Sequence, residues 1–135
     1  MSIIKLPRPL VNELLHQAQR GADCEVCGLI SACNGVPAHC YPVPNIAVAP
    51  QQRFSMDPKA QIDALRHMRD RGEDLFAIYH SHPTAPAAPS AMDRDEAGYP
   101  EVLYLIISLN TRGVLEMRGF YIQDQNVTEV ALELL

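Results

Sequence analysis

Nowhere in this 135-residue chain does an apolar stretch approach the roughly 18 residues needed to cross a bilayer. The opening Met1-Ser2-Ile3-Ile4-Lys5-Leu6-Pro7 lacks the long apolar centre and small-residue cleavage site of a secretory signal. Lysine and arginine never form a run beyond a scattered pair, which argues against a nucleic-acid backbone as the main partner. Acidic charge is thin as well: 16 acidic against 11 basic residues leave −5, spread along the chain, which speaks mainly of solubility. Internal repeats, low-complexity tracts and charge blocks are absent. What remains is the expectation of a cytoplasmic protein with no membrane and no nucleic acid as partner.

Hydrophobic residues make up 47%, and a chain of this length buries about two-thirds of its unfolded surface, so one self-sufficient core spanning residues 1–135 is expected. The four cysteines, Cys24, Cys27, Cys33 and Cys40, fall in the first third. In a reducing compartment they read as thiols or metal ligands before disulfides.

Leu10, Val11, Leu14, Leu15 and Ala18 share a helical face behind a first-turn Pro9, with Gly21 at the end. Residues 26–32 and 36–43 read as two strands around an Asn34-Gly35 turn, with strand character again at 53–56. Asp57-Pro58 opens a second helix, Asp57 as its cap, with Ile62, Leu65 and Met68 inward and an end at Gly72. Residues 75–79 form a buried strand that leads to His80, and a short helix follows at 90–97. Strands at 102–109, 114–122 and 127–134 are separated by Asn110-Thr111-Arg112-Gly113 and Asp124-Gln125-Asn126. The order predicts an α+β, or mixed α/β, fold around one sheet.

The chemistry-bearing stretch is His80-Ser81-His82-Pro83, followed by Ser90-Ala91-Met92-Asp93. Side chains two apart on a strand point the same way, so both imidazoles face one point. Asp93, one turn into the next helix, can bring a carboxylate to it. Two histidines and one aspartate make three ligands and leave a fourth tetrahedral position for water, which distinguishes a catalytic zinc site from a closed structural one. From the chain's own composition, this spacing arises by chance in about 4 of 10,000 such chains.

These residues resemble the signature of the JAMM, or MPN+, zinc metallopeptidases, E…H-S/T-H-x₇-S-x₂-D. Glu25-Val26-Cys27-Gly28-Leu29 matches the family's remote E-x-C-G-L segment. The likeness runs from about residue 3 to 134 and resembles the stand-alone bacterial branch, with no visible insertion. It implies a curved sheet flanked by helices, similar to cytidine deaminase, and one Zn²⁺ per chain on His80, His82 and Asp93. It implies Glu25 as general base toward a zinc-activated water, and Ser90 as hydrogen-bond donor to the oxyanion. The implied reaction is hydrolysis of the peptide or isopeptide bond after the C-terminal Gly-Gly of a ubiquitin-like or sulfur-carrier protein.

Plainer readings compete for the same residues. Ser90-x-x-Asp93 is also a capping-box pattern, compatible with the catalytic one. Without the family register, Glu25 reads as an ordinary surface carboxylate. Cys24-x₂-Cys27 with Cys33 and Cys40 could form a four-thiolate site, but there is no second C-x₂-C, and Cys27 and Cys33 read as buried thiols. Phe54, Tyr79, Tyr99 and Tyr104 read as core or site wall; Lys59, Arg66, Arg69 and Arg71 as a solvated helix face. His16, His39 and His67 have no partner at ligand spacing. The alternative functions are a non-cleaving scaffold that docks a ubiquitin-like protein, and a redox or structural-metal module using the cysteines.

Overall fold

The computed structural model describes residues 3–109 and 115–135. In chain order its elements are β1 (Ile3–Leu6), α1 (Arg8–Arg20), β2 (Cys27–Cys33), β3 (Val36–Val43) and α2 (Pro58–Asp70). They continue with β4 (Asp74–His82), α3 (Ala91–Glu96), β5 (Leu103–Ser108), β6 (Glu116–Gln123) and β7 (Asn126–Leu134). The turn expected at Asn110-Thr111-Arg112-Gly113 lies outside the described residues. The other turns carry their signature: Asn34 and Gly35 both have positive φ, as do Asp124 and Gln125, so each closes a tight hairpin.

The strands form one sheet in the order β1-β7-β6-β5-β4-β2-β3. β1 pairs with β7 in parallel and β4 with β5 in parallel, while the remaining neighbours are antiparallel. The sheet curls so far that its two edges, β1 and β3, line one groove, with Ile3, Lys5, Val36 and Pro37 among its walls. β1 has no counterpart in the sequence reading. Four residues show little alternation, and the partner lies at the far end of the chain. Strand character at 53–56 shrinks to a single bridge, Asn45 to Met56.

Helices cover both faces. α1 buries Leu10, Val11, Leu14 and Ala18 against Ile30, Ala77, Leu103 and Leu105. Each large side chain so buried contributes roughly 1.5–3 kcal/mol relative to exposure. α2 packs Ala64 and Met68 against Leu29, Ile78 and Ile106 on the opposite face. Ile62, expected inward, is 51% exposed, and Leu65 is half-buried, because the inward face runs through Ala64 and Met68. Asp57 occupies the N-cap position of α2, but its side chain makes no capping bond.

Gly28 has a steric reason to be glycine. On the neighbouring strand β4, Tyr79 lies opposite it, and a Cβ at residue 28 would sit 2.4 Å from the phenol oxygen and 2.5 Å from the Tyr41 carbonyl. The Tyr79 hydroxyl crosses this gap to donate to Gln17 of α1, and it accepts from the Cys40 thiol of β3 at 3.1 Å. One buried phenol thus ties α1 to the sheet. Because β4 is flanked by β2 and β5, its last six residues are buried, and the two histidines at its end arrive in rigid, desolvated positions.

Candidate active site

His80 and His82 end β4, and the chain then turns through Pro83, Pro86 and Pro89 into α3. Alternation along the strand aims both imidazoles to one side, and their Nε2 atoms are 3.1 Å apart. Asp93 reaches back from α3, its Oδ2 lying 3.2 Å from His80 Nε2 and 3.1 Å from His82 Nε2. The carboxylate is fixed by α3's own capping box: Ser90 N–H donates to Asp93 Oδ2 at 2.9 Å, and Asp93 N–H donates to Ser90 Oγ at 3.0 Å. Capping and convergence on the histidines are therefore one arrangement.

The His82 ring presents Nδ1 to the Pro86 carbonyl at 2.8 Å. A proton on Nδ1 leaves a lone pair on Nε2, the tautomer a metal ligand needs. His80 stacks on Phe54, ring centroids 4.4 Å apart, and its Nδ1 is buried without a partner. Burial pushes the His80 imidazole below its ordinary pKa. Burial also disfavours charge on His82, but hydrogen bonds to Asp93 and Pro86 outweigh it and raise that imidazole. For Asp93, burial pushes upward, while the hydrogen bonds and charges of both histidines hold the carboxyl well below the usual range.

Glu25 lies on the irregular segment between α1 and β2, yet it is only 4% exposed. Ligand atoms of Glu25, His80 and His82 all fall within 4.8 Å of one another. Glu25 Oε1 is buried without a donor. Its carboxyl is pushed up to about 7 by burial, partly offset by the charge of His82 and reinforced by Asp93.

Two imidazole nitrogens and a carboxylate oxygen converging on one point form a donor set that a cation can occupy. A tetrahedral ion with bonds of about 2.0 Å holds its ligands about 3.3 Å apart, close to the 3.1–3.2 Å seen for His80, His82 and Asp93. The residues therefore fit a divalent ion of the imidazole- and carboxylate-binding kind. An orphaned Glu25 oxygen beside it fits a water molecule at the open position. Glu25, His82 and Ser90 share a groove of about 160 Å³ with Gln51, Gln52, Pro83, Thr84 and Ala85. Ser90 Oγ spends a lone pair on the cap, which leaves its hydrogen free to donate into that groove.

All five residues singled out by the sequence come together. The cysteines do not: Cys27 is buried, with its thiol on the Val43 carbonyl and its pKa raised to about 12 by burial and the nearby Glu25 charge. Cys33, expected to be buried, is exposed, because it ends β2 at the hairpin turn. His39 and Arg71 flank the buried Glu73 carboxylate instead of standing free. The sequence reading missed Asn45, whose side chain grips the Glu25 backbone, and gave Ser81 no role, although its hydroxyl accepts from Val26 N–H. A lone asparagine in Pro44-Asn45-Ile46 signals a turn, and nothing in its local sequence points to a partner 20 residues away.

Residues 7–120 match the family described as prokaryotic homologs of the JAB domain. A desampylase from Haloferax volcanii is 35% identical over 108 residues, 75% of this chain and 77% of that protein. A probable TtuB-protein conjugate cleaving protease from Thermus thermophilus is 36% identical over 133 residues, 98% and 84% of the two chains. A CysO-cysteine peptidase from Mycobacterium tuberculosis is 30% identical over 129 residues, 94% and 88%. Among solved structures, a protein from Desulfitobacterium hafniense superposes with a TM-score of 0.87 at 34% identity, covering 99% and 93%. A JAB1/MPN domain protein from Archaeoglobus fulgidus shares the fold, a curled mixed sheet with helices, at a TM-score of 0.59 and 18% identity over 98% and 100%.

Proposed function

The chain belongs to the prokaryotic JAB-domain family, the stand-alone JAMM or MPN+ group its sequence resembles, and on that premise we propose that it is a zinc peptidase cleaving after the C-terminal Gly-Gly of a ubiquitin-like or sulfur-carrier protein. The observation that carries the proposal is the meeting of His80 Nε2, His82 Nε2 and Asp93 Oδ2 beside a buried, unpartnered Glu25 oxygen. A non-cleaving scaffold would have no use for that orphaned oxygen.

When held by His80, His82 and Asp93, zinc supplies a polarised substrate carbonyl and an attacking water with a pKa of about 7. Glu25 would take a proton from the attacking water on its free oxygen and return it to the departing amine. Burial favours the protonated form of Glu25, which helps it hold the proton between the two transfers. Ser90 donates its hydroxyl hydrogen to the carbonyl oxygen as negative charge develops there. Pro86, through its carbonyl, keeps His82 in the ligating tautomer. The groove of about 160 Å³ favours residues without side-chain bulk just before the reacting bond, as a Gly-Gly tail provides. The names of the relatives, which refer to TtuB conjugates and to CysO-cysteine, support the same substrate class.

The direct test is a small ubiquitin-like carrier extended past Gly-Gly by a short peptide, followed by mass spectrometry. Cleavage after Gly-Gly, abolished by a zinc chelator and restored by zinc, is expected. Glu25→Gln should retain zinc and lose turnover. Wild-type turnover in that variant would overturn the general-base assignment.

A further inference from the structure

Glu25 is not on a strand, so no ladder fixes its backbone; residues 21–26 are turn and irregular structure. Its backbone is held instead by a loop distant in sequence. Asn45 Nδ2 donates to the Glu25 carbonyl at 2.9 Å, and Glu25 N–H donates to the Pro50 carbonyl at 2.7 Å. The Asn45 amide is used completely. Nδ2 also donates to Arg53 O at 3.0 Å, and Oδ1 accepts from Ala47 N–H at 3.0 Å and Ser55 N–H at 2.9 Å. One side chain thus closes the 45–55 loop on itself and clamps the closed loop to Glu25.

The next residue is gripped from the other side. Val26 N–H donates to Ser81 Oγ at 2.9 Å, and Ser81 N–H donates to the Val26 carbonyl at 3.0 Å. Ser81 is fully buried between the two histidines, so this pair ties the Glu25 segment directly to the strand that carries the ligand set. Asn45 and the Pro50 carbonyl of the same loop supply the second anchor. Without Asn45 the segment keeps the Ser81 tie and the single Pro50 bond, and the Glu25 carboxyl is freer to swing relative to His80 and His82.

We propose that Asn45 is a positioning residue for Glu25: its amide, donating to the Glu25 carbonyl, holds the carboxyl at the distance from His80 and His82 that proton transfer requires. The proposal rests on the peptidase reading given above. It assigns Asn45 no contact with substrate or metal. Its effect falls on the chemical step, where a displacement of about 1 Å costs on the order of a hundredfold.

The experiment is a double-mutant cycle of Asn45→Ala and Glu25→Gln, with Asn45→Asp alongside. Turnover is measured on the peptide-extended carrier, together with zinc content and melting temperature. Asn45→Ala should lower kcat roughly ten- to a hundredfold with KM within about threefold and zinc retained. In the Glu25→Gln background the same change should alter residual kcat by less than about threefold, because nothing is left to position. Asn45→Asp keeps the acceptors for Ala47 and Ser55 but loses both donors. Its carboxylate then faces the Glu25 and Arg53 carbonyls, acceptor against acceptor, so it should lower kcat at least as far as Asn45→Ala with zinc retained, whatever the change in melting temperature.

Equal fold-losses in both backgrounds, an unchanged kcat in either Asn45 variant, or losses that track zinc content would overturn the clamp. If Asn45→Ala does not fold, Asn45→Asp decides on the same readouts. Failure of the peptidase reading is separately visible, because wild type itself would then leave the peptide-extended carrier uncut.

Discussion

Ser90 joins two roles of very different energetic size, and replacing it by alanine separates them. As N-cap of α3, its hydroxyl oxygen accepts Asp93 N–H at 3.0 Å, and losing such a cap costs about 1 kcal/mol. For 135 residues the unfolding entropy is on the order of 0.28 kcal/mol/K, so the melting temperature should fall by about 3–4 °C. As donor to the developing oxyanion, the same hydroxyl is worth about 2.7–4 kcal/mol, or roughly 10²–10³ in kcat. The backbone N–H of residue 90 survives the substitution, so Asp93 Oδ2 keeps its 2.9 Å partner and zinc should stay bound. Turnover of the peptide-extended carrier, zinc content and thermal melting, measured on one preparation, give all three quantities. A kcat within about threefold of wild type, with zinc retained, would refute the oxyanion role. A loss of activity that parallels loss of zinc would reduce Ser90 to a support for Asp93.

Two further predictions concern the frame around the site. Gly28→Ala places a Cβ 2.4 Å from the Tyr79 oxygen and should cost roughly 1–3 kcal/mol by overpacking, read as a lower melting temperature; an unchanged one would mean that Tyr79 moves freely. For Glu73, burial raises the carboxyl, but a hydrogen bond from Tyr41 and the charges of His39 and Arg71 outweigh it and lower its pKa. Its stabilisation is therefore complete above the unfolded-state value of about 4.3 and is lost as pH falls through the lower folded-state value. Melting temperatures between pH 6 and pH 3 should fall more steeply for wild type than for Glu73→Gln, and parallel curves would contradict this.

The parts of the site that could be read from sequence are those whose geometry is local. His80 and His82 share a strand face, and Ser90 and Asp93 share a helix turn, so spacing alone carries the relation. Glu25 lies 55 residues before His80 and was legible only through its register in E-x-C-G-L. Asn45 was illegible, because its role exists only once the 45–55 loop closes onto Glu25. The fold shows the same division. α1, the β2–β3 hairpin and α3 follow from apolar period and turn residues. β1 depends on a parallel partner at residues 131–134, and its four residues carry too little pattern to announce it. Ile62 was misplaced because an apolar residue at helical spacing need not lie on the buried stripe. Cys33 was misplaced because burial along β2 stops one residue before the turn.

The central claim, an open His-His-Asp zinc centre, is tested most directly by metal analysis of purified wild type beside Asp93→Ala and a Cys24→Ser/Cys27→Ser double variant. The expected result is about one zinc per chain, lost with Asp93 and retained without the two thiols. Zinc that follows the cysteines, or none bound under metal-replete conditions, would contradict it.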